Sequence, residues 1–157
     1  MSLITGRYGL SYTAANPAAV AAFDDTVSSY LGFGRDIGYR LKAVFGHDAE
    51  MAMAHIAKGY FFKLFGSAVM AERAKKTLGQ AEALANATTI TPREILHLEA
   101  LRAWCAEDLG GATAAWERIL IEHPKDVFAL RLAHFNHFYD GEGRLMRESV
   151  ARVLPDW

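Results

Sequence analysis

Between Leu96 and Pro124, small and bulky side chains recur at the spacing of a helix-turn-helix repeat, which restricts the fold more than any other feature of the chain. With Pro124 at the thirty-second repeat position, Leu96, Ala100, Ala103, Ala112, Trp116 and Ile119 fall on the fourth, eighth, eleventh, twentieth, twenty-fourth and twenty-seventh. The eighth and twentieth slots lie where two antiparallel helices touch, and Ala100 and Ala112 are small enough to let the backbones approach. Trp116 and Ile119 fill the space against the next helix. The expected fold is all-α, an α-solenoid of antiparallel helix hairpins, and such arrays bind more often than they catalyse.

A chain of 157 residues with 52% hydrophobic content can bury a core, and its 22% charged residues can solvate the outside. Its formal net charge of −1 provides no basic footprint for nucleic acid and no polybasic stretch for anionic lipid, so neither is an expected partner. Cys105 is the only cysteine; an internal disulfide is excluded, and a cytoplasmic setting is expected. Met1 to Asn16 contains no apolar run of the kind a secretory signal or membrane span requires. Residues 1–15 are expected to form an extended lead-in, followed by one helical repeat domain over 16–157.

Local signals mark eight helices in four hairpins. Asn16 and Pro17 read as N-cap and first helical residue, and Val20, Phe23, Val27 and Tyr30 recur at helical spacing as far as Gly32. After the Gly32–Gly34 turn, Ile37, Leu41 and Val44 make a short second helix ending near Gly46. Asp48 is read as the cap of a third helix over roughly Ala49 to Phe65, with Gly59 at its small eighth position; a fourth runs from about Ser67 to Ala87. Thr91, Pro92 and Glu94 supply N-cap, first-turn proline and capping-box acid for the fifth, and its partner runs from about Gly110 to Glu122. The next unit follows His123 and Pro124, with Leu130, Ala133 and His134 at its fourth, seventh and eighth positions. Gly141 and Gly143 mark a turn before a last amphipathic helix carrying Leu145, Met146, Val150 and Val153. No useful stretch shows the alternation of a half-buried strand.

The order and spacing of these residues resemble the tetratricopeptide repeat protein 38 family. The likeness rests on Ala22, Phe23, Asp24, Val27, Tyr30 and Leu31, on Met51 to His55 with Gly59 and Tyr60, and on Arg93, Glu94, His97, Ala100, Leu101 and Trp104. It continues through Trp116, Glu117, Ile119, Leu120, His123, Pro124 and Asp126. It then takes in Ala129 to Phe135, Phe138, Tyr139 and Gly141, and Met146 to Pro155 with Trp157. The resemblance implies an α-solenoid and, because family members extend well past the position of Trp157, an amino-terminal portion of such an array. It implies no particular enzymatic activity or ligand.

In such arrays the second, fifth, ninth and twelfth residues of each first helix line a concave groove. Here those positions are Met53, Ile56, Tyr60 and Lys63, then Glu94, His97, Leu101 and Trp104, then Phe128, Arg131, Phe135 and Phe138. The expected partner-binding groove therefore comprises Tyr60, Lys63, Glu94, His97, Leu101, Trp104, Arg131, Phe135 and Phe138, with aromatic anchors for a protein or peptide. Lys63 and Arg131 are too few donors for a clamp on a terminal carboxylate. The alternative is that the stripe is core covered by other helices, since apolar stripes at helical spacing are mostly core. A homodimer through the exposed apolar face of the last helix is the expected self-association.

The competing reading is a metal-binding or catalytic helical domain built on His97, His134 and His137. His134 and His137 share a helix face at i, i+3, and His97 or His55 would approach from a neighbouring helix. No Glu-x-x-His recurs and no His-Glu-x-x-His is present, so histidines hydrogen-bonded between helices are expected, with no metal and no cofactor. No catalytic residue is assigned. Asp24 and Asp25 point apart on a helix, Gly32 and Gly34 lack a phosphate-binding context, and Cys105 sits mid-helix where a packed thiol is expected.

Overall fold

A computed structural model describes all residues 1–157. The architecture is all-α with one small β-hairpin: β1 (Ser2–Thr5), β2 (Ser11–Ala14), α1 (Pro17–Leu31), α2 (Ile37–His47), α3 (Ala52–Leu64), α4 (Ala68–Ala87), α5 (Pro92–Cys105), α6 (Leu109–Glu122), α7 (Val127–Tyr139) and α8 (Gly143–Val153). A 3-10 turn over Leu154–Asp156 follows. No helix is long and apolar enough to cross a membrane.

Side-chain caps fix most helix starts. The Asn16 side chain accepts from the Ala19 amide, Ser67 from Met70, Asp108 from Gly111 and Asp126 from Ala129. Thr91 and Glu94 form the full reciprocal capping box of α5. Each cap satisfies an amide that the first helical turn would otherwise leave without a partner.

Two local expectations are corrected. Residues 1–15, expected as an extended lead-in, fold back as a hairpin: β1 and β2 pair antiparallel, Leu3 opposite Thr13 and Ile4 opposite Tyr12. The Gly6 amide closes the turn on the Leu10 carbonyl at 2.8 Å. Asp48 does not cap α3, which starts three residues later than expected, with Met51 as N-cap. Its carboxylate instead accepts the amides of Ala15 at 2.7 Å and Glu50 at 3.0 Å, joining the hairpin to the α2–α3 connection.

The helices pack chiefly in sequential pairs, α1 with α2, α3 with α4 and α5 with α6, and α5 also lies against both α3 and α4. Gly59 sits where α3 meets α5: a Cβ there would lie 2.6 Å from Leu101 Cδ2 and 2.9 Å from its Cδ1. Its smallness thus serves the contact between successive pairs. Ala100 and Ala112 are fully buried. In a strictly one-dimensional stack each unit touches only its neighbours, but here α1 also reaches α7. Phe23 meets Phe128 edge-on at 6.4 Å between ring centroids, and Tyr30 meets it at 5.6 Å.

Candidate functional site

The polar chemistry of the chain is concentrated inside this core, at the N-terminal ends of α5 and α7. Asp126 caps α7 with one carboxylate oxygen, and its Oδ2 accepts from Arg93 Nη1 at 2.7 Å and faces His97 Nε2 at 3.0 Å. An ionised carboxylate only accepts, so Nε2 carries the proton. Tyr60 donates its hydroxyl to the His97 carbonyl at 2.6 Å and accepts from Trp116 Nε1 at 3.1 Å. Arg93 also donates to the Ser11 carbonyl at 2.9 Å, with its guanidinium 4.6 Å from the Tyr12 ring centroid. Burial would push the Asp126 carboxyl up, but the facing His97 and Arg93 hold it well below the usual carboxylate range. Burial pushes the Tyr60 phenol far up, so it stays protonated. Every polar atom of this cluster has a partner and all its side chains are sealed from solvent, so it supports the fold and offers no entry to a substrate.

This burial corrects the groove expected from the repeat register. Tyr60, Glu94, His97 and Leu101 are fully buried and Trp104 nearly so, as are Met53, Ile56 and Phe128. The stripe is covered by the chain itself: Tyr12 of β2 packs edge-on against Phe23 of α1 at 5.3 Å, and Phe23 packs on Phe128. Glu94 is consumed by the hairpin, accepting the Thr13 amide at 3.0 Å and hydroxyl at 2.8 Å. The aromatic stripe is core over this half.

Toward the C-terminal ends of α1, α3 and α7 the stripe remains open. Phe135 and Arg131 are half-buried and Phe138 is exposed. Phe135 packs on Trp104 at 6.4 Å and on Tyr139 at 4.8 Å. Arg131 lies over the ring of Phe33, 5.3 Å from its centroid. Lys63 is spent on an ion pair, Nζ to Glu107 Oε1 at 2.7 Å. Phe33, which the sequence marks only as part of the Gly32–Gly34 turn, is 79% exposed and adopts φ 56°, the left-handed region that favours glycine.

The histidines do not converge. His97 is committed to Asp126, whereas His137 Nε2 lies 3.1 Å from Glu117 Oε1 and His134 faces His137 at 6.4 Å between centroids. Burial, then the neighbouring His137, push the His134 imidazole down, favouring its neutral form. No group of three or more His, Cys, Asp or Glu side chains is placed to hold a metal, and His97, His134 and His137 are not brought together. Burial pushes the Cys105 thiol up, away from nucleophile behaviour.

A cavity of about 580 Å³ lies elsewhere, as an open cleft between α2 and α3 that Tyr30 also lines. Ile37, Leu41 and Phe45 line it from α2, and Phe61, Phe62 and Phe65 from α3 and its cap. Arg35, Lys42 and Lys58 also line it, and no acidic residue does. Lys58 Nζ lies 5.4 Å from the Phe45 ring centroid and 5.9 Å from that of Phe62. The signal was present in the sequence. Ile37, Leu41 and Phe45 recur every four residues and Lys58, Phe61, Phe62 and Phe65 at i, i+3, i+4, i+7, but nothing local distinguishes a stripe facing a cleft from one facing core.

No family model matches the sequence, and no solved structure matches it. The class defined by fold and site is therefore an all-α helical protein with a sealed polar core and two accessible apolar surfaces.

Proposed function

We propose that the chain is a cytoplasmic protein-interaction module of the tetratricopeptide type, as its resemblance to the tetratricopeptide repeat protein 38 family implies. It captures an apolar segment of a partner protein on the open end of the aromatic stripe, with Phe33, Arg131, Phe135 and Phe138 as anchors. A single buried thiol and no other cysteine fit a reducing compartment.

The observation that carries this reading is Phe33. It follows the α1 cap at φ 56°, in the slot where helices usually place glycine, although Gly32 and Gly34 flank it. A bulky residue held there costs about 1–3 kcal/mol. Its ring is 79% exposed, so its own burial returns little of that cost. The contact with Arg131 is all that folding draws from this ring, whereas a partner gains an aromatic anchor already backed by a guanidinium.

The test is a displayed peptide library selected on the intact chain, followed by affinity measurement of the enriched peptides on Phe33→Gly. The variant should melt no lower than the parent and bind the peptides about tenfold or more weakly, roughly 1.4 kcal/mol. Unchanged affinity in a folded Phe33→Gly protein removes the assignment.

A further inference from the structure

The cleft between α2 and α3 has the geometry of a groove for a helix. The α2 stripe of Ile37, Leu41 and Phe45 faces the α3 stripe of Phe61, Phe62 and Phe65, and the 11 residues of α2 make a wall about 16 Å long, some three helical turns. Phe45, Phe61 and Phe62 are only half-buried, so both walls hold apolar surface that the fold leaves incompletely covered.

The occupant's charge is set by the rim. Arg35, Lys42 and Lys58 make no ion pair, whereas Arg40 on the same helix is paired with Asp36 at 2.6 Å. Lys58 stands over Phe45 of α2 and Phe62 of α3, its ammonium held at the groove by two ring faces. Three cations and no anion around an apolar floor call for a ligand with an apolar face flanked by carboxylates. The last helix of a second copy does not supply one: α8 exposes Val150, but carries Arg144, Arg147 and Arg152 against Glu148 alone. Docking it here would set like charges together.

We propose that the α2–α3 groove binds an amphipathic, acidic helix of a partner protein, with apolar side chains at i, i+3, i+4 and i+7 seated between Leu41 and Phe62 and carboxylates paired with Lys42 and Lys58. This rests on the reading of the chain as an interaction module but uses a different face from Phe33 and Phe138.

Two labelled designed helices of about eighteen residues, long enough to span the groove, share one leucine face and differ only in carrying glutamate or lysine beside it. Fluorescence anisotropy with the intact chain should show the acidic helix binding about tenfold or more tightly than the basic one, with the difference shrinking as salt rises. The double change Lys42→Glu with Lys58→Glu should reverse the preference, and Phe62→Ala should weaken both helices. Circular dichroism checks that each variant is folded. A preference unmoved by the charge reversal overturns the proposal. So does dodecanoate displacing an apolar dye from the groove while the acidic helix does not, since the site would then take small amphiphiles. If the acidic helix binds but is lost in Phe138→Ala rather than in the lysine variants, the groove assignment fails while the interaction module stands. Library selection that enriches nothing dependent on Phe33, beside charge-reversible binding of the acidic helix, removes the Phe33 surface and supports the groove.

Discussion

Glu94 holds Thr13 through both carboxylate oxygens, Oε1 accepting the Thr13 amide at 3.0 Å and Oε2 its hydroxyl at 2.8 Å, across 81 residues of chain. Oε2 also accepts the Thr91 amide at 2.8 Å, so one carboxylate both closes the α5 capping box and pins β2 into the helical core. Glu94→Ala leaves the buried amide and hydroxyl of Thr13 and the part-buried amide of Thr91 without their acceptor and is expected to destabilise the protein by about 3 kcal/mol. Hydrogen exchange tests the mechanism. The amides of β1 and β2 should lose protection before those of α5; uniform loss across the chain would mean that Glu94 acts only through the cap.

Asp126→Asn should cost about 3–5 kcal/mol at neutral pH, because it leaves the Arg93 charge buried without its partner. The acid limb carries the sign. Asp126 has its folded-state pKa depressed below the value of about 3.9 for an unfolded aspartate, so its contribution is fully present above about pH 4 and lost as the pH falls further. Asp24, raised by burial, contributes in the opposite sense, and comparison with the variant cancels it. Urea midpoints between about pH 2 and 7 should fall less steeply below pH 4 for Asp126→Asn than for the parent. Parallel curves would show that the ion pair does not drive acid unfolding.

Ala112 is fully buried in α6 and Ala114 exposed two residues later. Ala112→Leu is expected to overpack the contact with α5 at a cost of about 1–3 kcal/mol, and Ala114→Leu to change stability by less than about 0.5 kcal/mol. Equal melting temperatures would show that the repeat register is misplaced.

Gly59 and Leu101 should be coupled. Gly59→Ala gains about 1 kcal/mol of helix propensity but drives a methyl into Leu101, a fully buried side chain with little room to turn, and overpacking costs about 1–3 kcal/mol. Leu101→Ala alone leaves a cavity worth about 2–5 kcal/mol. In the double variant the methyl enters that cavity, so the combined loss should fall short of the sum. Strict additivity in thermal or urea unfolding would mean that α3 and α5 part to admit the methyl.

What the sequence determined by itself is short-range. The Asn16–Pro17 start of α1 and the Thr91–Glu94 capping box are legible because each is a contact within one helical turn. Burial of Ala100, Ala112, Trp116 and Ile119 is legible because one helix face repeats every three to four residues. The hairpin was not legible: Tyr12, Thr13 and Ala14 of β2 are all buried, so the alternation that announces a strand is absent. Nor could local pattern show that α1 and the hairpin cover the stripe, leaving Tyr60, His97 and Leu101 as core while Ile37, Leu41 and Phe45 line a cleft. A stripe of apolar residues specifies a face that shuns water; which element covers that face, or whether any does, is decided only when segments such as Thr13 and Glu94, 81 residues apart, are brought together.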